Sequence, residues 1–278
     1  MKKLLLTFLL LTLAAPAWAG DDKDKESAFD RVMRTGTIRC GYFVWPPFLA
    51  IDPNTKKKSG IFFDIVEEMG KRLELKIEWT QELNFGTYIQ DLETHKYDME
   101  CTGGWPTATR GKFTSYSNNL FYIPLVPFVK AEDNRFNKKM AINSPEITVV
   151  TIDGENSQII KRQQFPKTKE LGLPQNAPPT DMMMAVITGK ADVAFTDMVF
   201  GQKFMEQNPK KIKPLWKNAP VKIIPQNFTI KPEESRFTGM INVAIEEMLL
   251  DGDIDRILNN YEGANRIFMR IPPPAKIE

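Results

Sequence analysis

Histidine is almost missing from this chain of 278 residues; His95 is the only one. Cysteine occurs twice, at Cys40 and Cys101. No spacing of His and Cys resembles a metal-ligand set, and no Ser-His-Asp or Cys-His arrangement can be assembled. His95 stands beside Lys96 at the end of an expected helix and reads as a solvated side chain. No metal and no cofactor are expected. Net charge is also scarce: 37 Lys and Arg face 35 Asp and Glu. Nothing in that balance calls for nucleic acid or a strongly anionic surface. Long apolar runs are lacking too, since Leu4 to Leu13 falls well short of the roughly 20 residues that span a membrane.

What the start of the chain does hold is an export signature. Lys2 and Lys3 precede that apolar run, and Ala17-Trp18-Ala19 supplies small-x-small residues for cleavage. Residues 1–19 are read as a signal peptide, with a soluble periplasmic product. Its removal takes two of the basic residues and no acid, which leaves a formally neutral chain. No cysteine follows the cleavage site, so lipid attachment there is not expected.

Cys40 and Cys101 both lie in strand-like runs, Thr37 to Val44 and Tyr97 to Thr102. On parallel neighbouring strands a disulfide is possible, and export permits one. Two buried thiols are the other reading. Residues 20–28 are charged and read as loose. Ile61, Ile65, Met69 and Leu73 mark one helix face, Leu75, Ile77 and Trp79 a strand, and Phe85 to Glu93 a second helix. The Lys56-Lys57-Lys58 run reads as a solvated loop. Strand, helix, strand, helix, strand implies a parallel sheet, where ligands bind at the carboxyl ends of strands. A second α/β set starts near Asp133, with a strand at Ile147–Ile152, a helix from Gln158, a helix at Asp181–Thr188 and a strand running into Thr196-Asp197. Met182, Met183 and Met184 read as core filling. Phe237, Met240, Ile241, Ala244, Ile245, Met248 and Leu249 follow helical spacing up to Gly252, and Ile271-Pro272-Pro273-Pro274 as a stiff tail.

Chemistry concentrates at Asp98 to Arg110. An apolar stretch opens through Gly103 and Gly104 into Thr107-Ala108-Thr109-Arg110. An Arg at such a strand end offers a planar fork to a carboxylate; a surface Arg after a turn is the plainer alternative. Trp45, Phe85 and Trp105 serve either as packing or as aromatic walls. Asp197, after a strand, is either a helix cap or a partner for a cation.

The order of Trp45-Pro46-Pro47-Phe48, Gly60-Ile61-Phe62-Phe63-Asp64, Lys96-Tyr97-Asp98, Thr107-Ala108-Thr109-Arg110, Tyr116-Ser117, Gly189 to Asp197 and Asp251-Gly252 resembles the extracellular solute-binding proteins of family 3, the receptors of polar amino-acid ABC importers. The resemblance implies an α/β fold of the type II periplasmic-binding-protein kind. It has two lobes with a ligand cleft between them, lobe 1 at 28–127 and 221–278 and lobe 2 at 128–220. It implies a monomer that binds a small amino-acid-like solute and hands it to an inner-membrane ABC permease, without enzymatic activity and without nucleic acid. By position it implies Arg110 on the ligand carboxylate, Asp197 on the ammonium, aromatic contacts from Trp45 and Phe85, and a carbonyl at Gly103. Thr107 belongs to the same motif, and Glu155, Asn156 and Ser157 would open a helix toward the carboxylate.

Two positions depart from that pattern. Trp105 stands where a Ser or Thr is usual, and Glu155 where a Thr is usual. A Glu facing a carboxylate repels it. Either Glu155 points away, or the ligand carries extra positive charge, or it is not a standard α-amino acid. A ligand bearing an amine is expected over glutamate. The rival class is an exported arogenate or prephenate dehydratase on the same scaffold, with Glu155 as general acid.

Overall fold

The computed structural model describes residues 26–136, 141–262 and 266–272. The expected signal peptide, and Pro273 and Pro274 of the tail, lie outside them. No described helix is long and apolar enough to cross a membrane.

The chain folds into two sheets flanked by helices. Ser27 caps α1 (Ala28–Thr35) by accepting from the Asp30 amide, and Ala28 and Val32 are buried. The packed fold therefore begins at the end of the segment read as loose. β1 (Thr37–Tyr42) leads through the short hairpin β2 (Ala50–Ile51) and β3 (Lys58–Ser59) into α2 (Ile61–Arg72). Lys58 pairs with Ile51 there, so only Lys56 and Lys57 of the lysine run remain in the loop. Ile61, Ile65 and Met69 of α2 are buried, as their spacing requires. β4 (Lys76–Glu82), α3 (Tyr88–Glu93), β5 (Met99–Glu100) and β6 (Ser115–Tyr116) follow.

α3 starts later than the apolar pattern suggested. The Asn84 carboxamide oxygen accepts from the Gly86 and Thr87 amides, forming a side-chain turn that holds Phe85 outside the helix. His95 is half-buried, with its Nε2 3.2 Å from Lys231 Nζ, and is not simply solvated. β4, β1 and β5 run parallel, and β1 lies between the other two. That adjacency brings Cys40 and Cys101 together in a disulfide with a Cα–Cα distance of 5.5 Å.

The chain enters the second sheet at β7 (Phe121–Lys130), a ten-residue strand that pairs with three others. β8 (Thr148–Ile152), α4 (Asn156–Gln164), β9 (Lys169–Leu173), α5 (Pro179–Ile187), β10 (Val193–Asp197), α6 (Met198–Gln207) and β11 (Ile212–Pro214) complete the second unit. Met182 and Met183 of α5 are buried, whereas Met184 faces solvent. β12 (Lys222–Gln226) runs antiparallel to the first half of β7, and the chain returns to the first sheet as β13 (Thr229–Ile230). α7 (Ser235–Leu250) and α8 (Asp253–Glu262) then pack on the first unit, against α2. The sheets are mixed rather than purely parallel, because β13, β6, β7, β11 and β12 all pair antiparallel.

Candidate functional site

Four short segments converge between the two units. The first follows β1. Phe43 and Trp45 stand there, and both rings meet Phe85. The second is the turn holding Phe85, whose ring stacks on Phe43 at 4.5 Å. The third follows β5. Gly103 has φ 99°, and a Cβ there would meet the Phe62 ring at 2.9 Å, so glycine alone fits this bend. The fourth opens α4: Gly154, φ 79°, lies against Phe85 of the opposite unit, and a Cβ on it would stand 3.1 Å from the Phe85 carbonyl oxygen.

Trp45, Phe85, Gly103, Trp105, Arg110, Glu155 and Asn156 line one cavity of about 30 Å³, together with Phe43, Phe48, Tyr88 and Thr102. That is space for on the order of two waters. Thr107 and Ser157 do not line it. The Thr107 hydroxyl accepts from the Arg110 amide, and Ser157 Oγ accepts from the Ile152 amide, so both serve their local turns.

Asp197 stands behind Trp45 and is fully buried. Its Oδ1 accepts from the Phe200 amide at 2.7 Å and caps α6, while its Oδ2 accepts from Trp45 Nε1 at 3.0 Å. Oδ1 thus meets the helix-cap reading, while Oδ2 is taken by the Trp45 indole and Asp197 does not line the cavity. Burial pushes its carboxyl up to about 6, and the Glu155 charge adds to that. The Trp45 ring also meets Phe85, Trp105 and Phe200 at centroid distances of 6.2, 5.8 and 5.8 Å. Trp105 Nε1 donates to Gln226 Oε1 at 3.2 Å.

Glu155 does not point to solvent; only 2% of it is exposed. It is the N-cap of α4, and its Oε2 accepts from the Ser157 amide at 2.6 Å. Burial raises its carboxyl pKa, and its hydrogen bonds to the Ser157 and Asn156 amides oppose that shift. Arg110 donates through one nitrogen to the Trp105 carbonyl at 3.0 Å and through another to the Gly154 carbonyl at 2.7 Å. The second bond crosses from one unit to the other. The guanidinium carbon sits 5.6 Å from the Tyr88 ring centroid.

Three relevant groups escaped the sequence reading. Glu100, at the end of β5, is fully buried; its Oε1 accepts from both the amide and the hydroxyl of Thr102 at 2.6 Å. Burial pushes it up to about 7. An acid inside an otherwise apolar strand was the available signal. Tyr88 is buried at the cavity wall, with its hydroxyl unpartnered among the described residues. Lys222, half-buried on β12, feels both Arg110 and Glu155, and burial lowers its pKa; nothing in its sequence context marked it. Among the described residues, none of Arg110, Lys222, Glu100, Glu155 and Asp197 forms an ion pair, and no group of three or more acids, histidines or cysteines is placed to hold a metal.

The model of the bacterial extracellular solute-binding proteins, family 3, matches residues 38–264. The L-cystine-binding protein TcyA of Bacillus subtilis (strain 168) is 22% identical over 276 residues, covering 95% of this chain and 98% of that protein. Among solved structures, the ancestral amino acid-binding protein AncCDT-1, a precursor of cyclohexadienyl dehydratase, superposes with a TM-score of 0.75 at 22% identity, over 84% of this chain and 99% of that one. The solute receptor for L-cysteine of Neisseria gonorrhoeae gives 0.72 at 18% identity, over 84% and 93%. These likenesses establish the fold, two α/β lobes of the type II periplasmic-binding kind. With a family match spanning most of its length and a cleft closed by residues from both lobes, the chain belongs to the bacterial extracellular solute-binding proteins of family 3.

Proposed function

We propose that this protein captures a small amine-bearing solute, an amino acid or a related zwitterion or cation, in the cleft between its lobes and delivers it to an inner-membrane ABC permease. It works as a monomer in the periplasm after loss of residues 1–19, with lobe boundaries near 127/128 and 220/221. The observation that carries the reading is the buried Glu155 carboxylate beside the rings of Trp45, Phe85 and Trp105 on the wall of one cavity, with the Asp197 carboxylate buried behind Trp45 and bonded to its indole N–H. A buried carboxylate and aromatic rings sharing one cavity wall suit a cationic nitrogen. Arg110 closes the lobes through the Gly154 carbonyl, and a carboxylate on the solute, where there is one, would turn to it.

A cavity of about 30 Å³ is too small for such a solute, so the lobes part to admit it and close again around it. A thermal-shift screen over amino acids, amines and small carboxylates tests the reading. A solute at 100 times its dissociation constant adds about 2.7 kcal/mol of stability. Stabilisation by amines or amino acids is the expected result; stabilisation only by neutral or purely anionic solutes would overturn it.

The dehydratase reading draws on one observation, the buried Glu155 with its raised pKa, the condition of a general acid. That carboxylate is engaged in capping α4, and Arg110 is turned to main-chain carbonyls, so neither is poised for proton transfer. We therefore read the chain as a binding protein without turnover. Incubation with arogenate and prephenate should give no product.

A further inference from the structure

The Glu155 charge favours a cation but does not tell whether the solute also carries a carboxylate, since Arg110 stands on the same cavity wall. Hydrogen-bonding capacity does. On the lobe 2 side, three main-chain donors around the start of α4 are engaged. The Ser157 amide bonds to Glu155 Oε2 at 2.6 Å, the Gly154 amide to Gln158 Oε1 at 3.1 Å and the Glu155 amide to the Ile152 carbonyl at 3.0 Å. The protein's own carboxylate thus fills the place where this helix start would receive an anion. On the lobe 1 side, Arg110 is turned to two carbonyls.

What is left unsatisfied includes an acceptor. Asn156 is 1% exposed, and its side-chain Oδ1 has no donor among the described residues. The Tyr88 hydroxyl, on the wall of the same cavity, also lacks a partner among the described residues. Buried polar atoms without partners are rare in native folds, and those lining a cavity mark what its occupant supplies. Here Asn156 Oδ1 calls for an N–H donor from the occupant, the Tyr88 hydroxyl can accept a second, and the occupant meets a protein carboxylate where its own would otherwise lie. Glu100, beneath Thr102, can ionise to balance an added positive charge.

We infer that the solute is an organic cation without a carboxylate, a protonated amine or guanidine whose N–H groups reach Asn156 Oδ1 and Glu155. This rests on the amine-binding reading above and narrows it. It makes Glu155 the residue that excludes α-amino acids.

The test is calorimetry with matched pairs that differ only by the carboxylate, agmatine against arginine and cadaverine against lysine. At least one amine should bind at least tenfold more tightly than its amino acid. Glu155→Ala removes the carboxylate and opens the α4 amides, and it should reverse that preference by at least tenfold. Glu155→Gln keeps an oxygen on the Ser157 amide, so it should weaken the amine while still excluding the amino acid; its melting curve controls for folding. Tighter binding of arginine and lysine by the wild type, or an unchanged ratio in folded Glu155→Ala, would overturn the inference and leave the amine-binding reading standing. No binding of any of the four, by a protein that the wider screen shows to take only neutral or anionic solutes, would overturn both.

Discussion

Trp45 Nε1 donates a 3.0 Å hydrogen bond to Asp197 Oδ2, joining the end of the first strand of lobe 1 to the cap of a lobe 2 helix. The same Trp ring packs on Phe85 and Trp105 of its own lobe and on Phe200 of the other. One side chain therefore both walls the cavity and bridges the lobes. Trp45→Phe keeps most of the ring contact but leaves Asp197 Oδ2 buried without a donor. The solute-free protein should lose about 1–3 kcal/mol, read by urea denaturation. An unchanged midpoint would show that the bridge contributes nothing.

Arg110→Ala removes the bond to the Gly154 carbonyl that crosses the cleft. Solute affinity should fall by about 1.5–3 kcal/mol, the range for a hydrogen bond from a charged donor. Arg110→Lys should bind almost as poorly, because a single ammonium cannot reach two carbonyls in the geometry of a planar fork. Calorimetry with the best solute of the screen checks both; wild-type affinity in either variant would remove Arg110 from the closing machinery.

Stability should depend on pH through two buried acids. Burial raises Glu100 from 4.5 to about 7 and Asp197 from 3.8 to about 6. The folded chain then keeps protons that the unfolded chain gives up. The stability they contribute is complete below about pH 4 and is lost as pH rises through about 6 and 7, roughly 3 kcal/mol for each group. Carboxyls held low, such as Asp253 and Asp52, act only at more acid pH. Between about pH 5 and 7.5 the solute-free protein should therefore weaken, and Glu100→Gln should flatten that slope. A rise in stability over the same range would contradict the assignment.

The disulfide between Cys40 and Cys101 closes 61 residues of sequence separation. Its reduction should cost about 4 kcal/mol on the chain-entropy model. Unreduced, denatured protein from the periplasm should titrate no thiols, and its intact mass should begin at Gly20. Two thiols, or a retained 1–19 segment, would refute these expectations.

Much of this was legible in the sequence because the elements that position the cleft are long or strongly marked. Ile61, Ile65 and Met69 declared α2, and the alternation at Ile77 and Trp79 declared β4. Trp45, Phe85, Trp105, Arg110, Glu155 and Asn156 were placed by motif and do meet at one cavity. The misses have physical causes. β5, β6 and β13 are two residues each, too short for any periodicity, and their pairing is fixed only by tertiary contact. Phe85 left its helix because Asn84 offered a competing side-chain turn. Glu155 was ambiguous because it is buried where its neighbour Gly154 packs against Phe85 of the other lobe, which no local pattern encodes.

The most direct measurement is calorimetry on wild type and Asp197→Asn side by side, with the best amine-bearing solute from the screen and melting curves as a folding control. Asn keeps an oxygen for the Phe200 amide or the Trp45 indole but carries no charge. Binding by the wild type with at least a tenfold loss in folded Asp197→Asn is the expected result. Equal binding by the two proteins would show that the buried Asp197 charge takes no part in holding the solute and contradict it as a source of the cleft's preference for a cation.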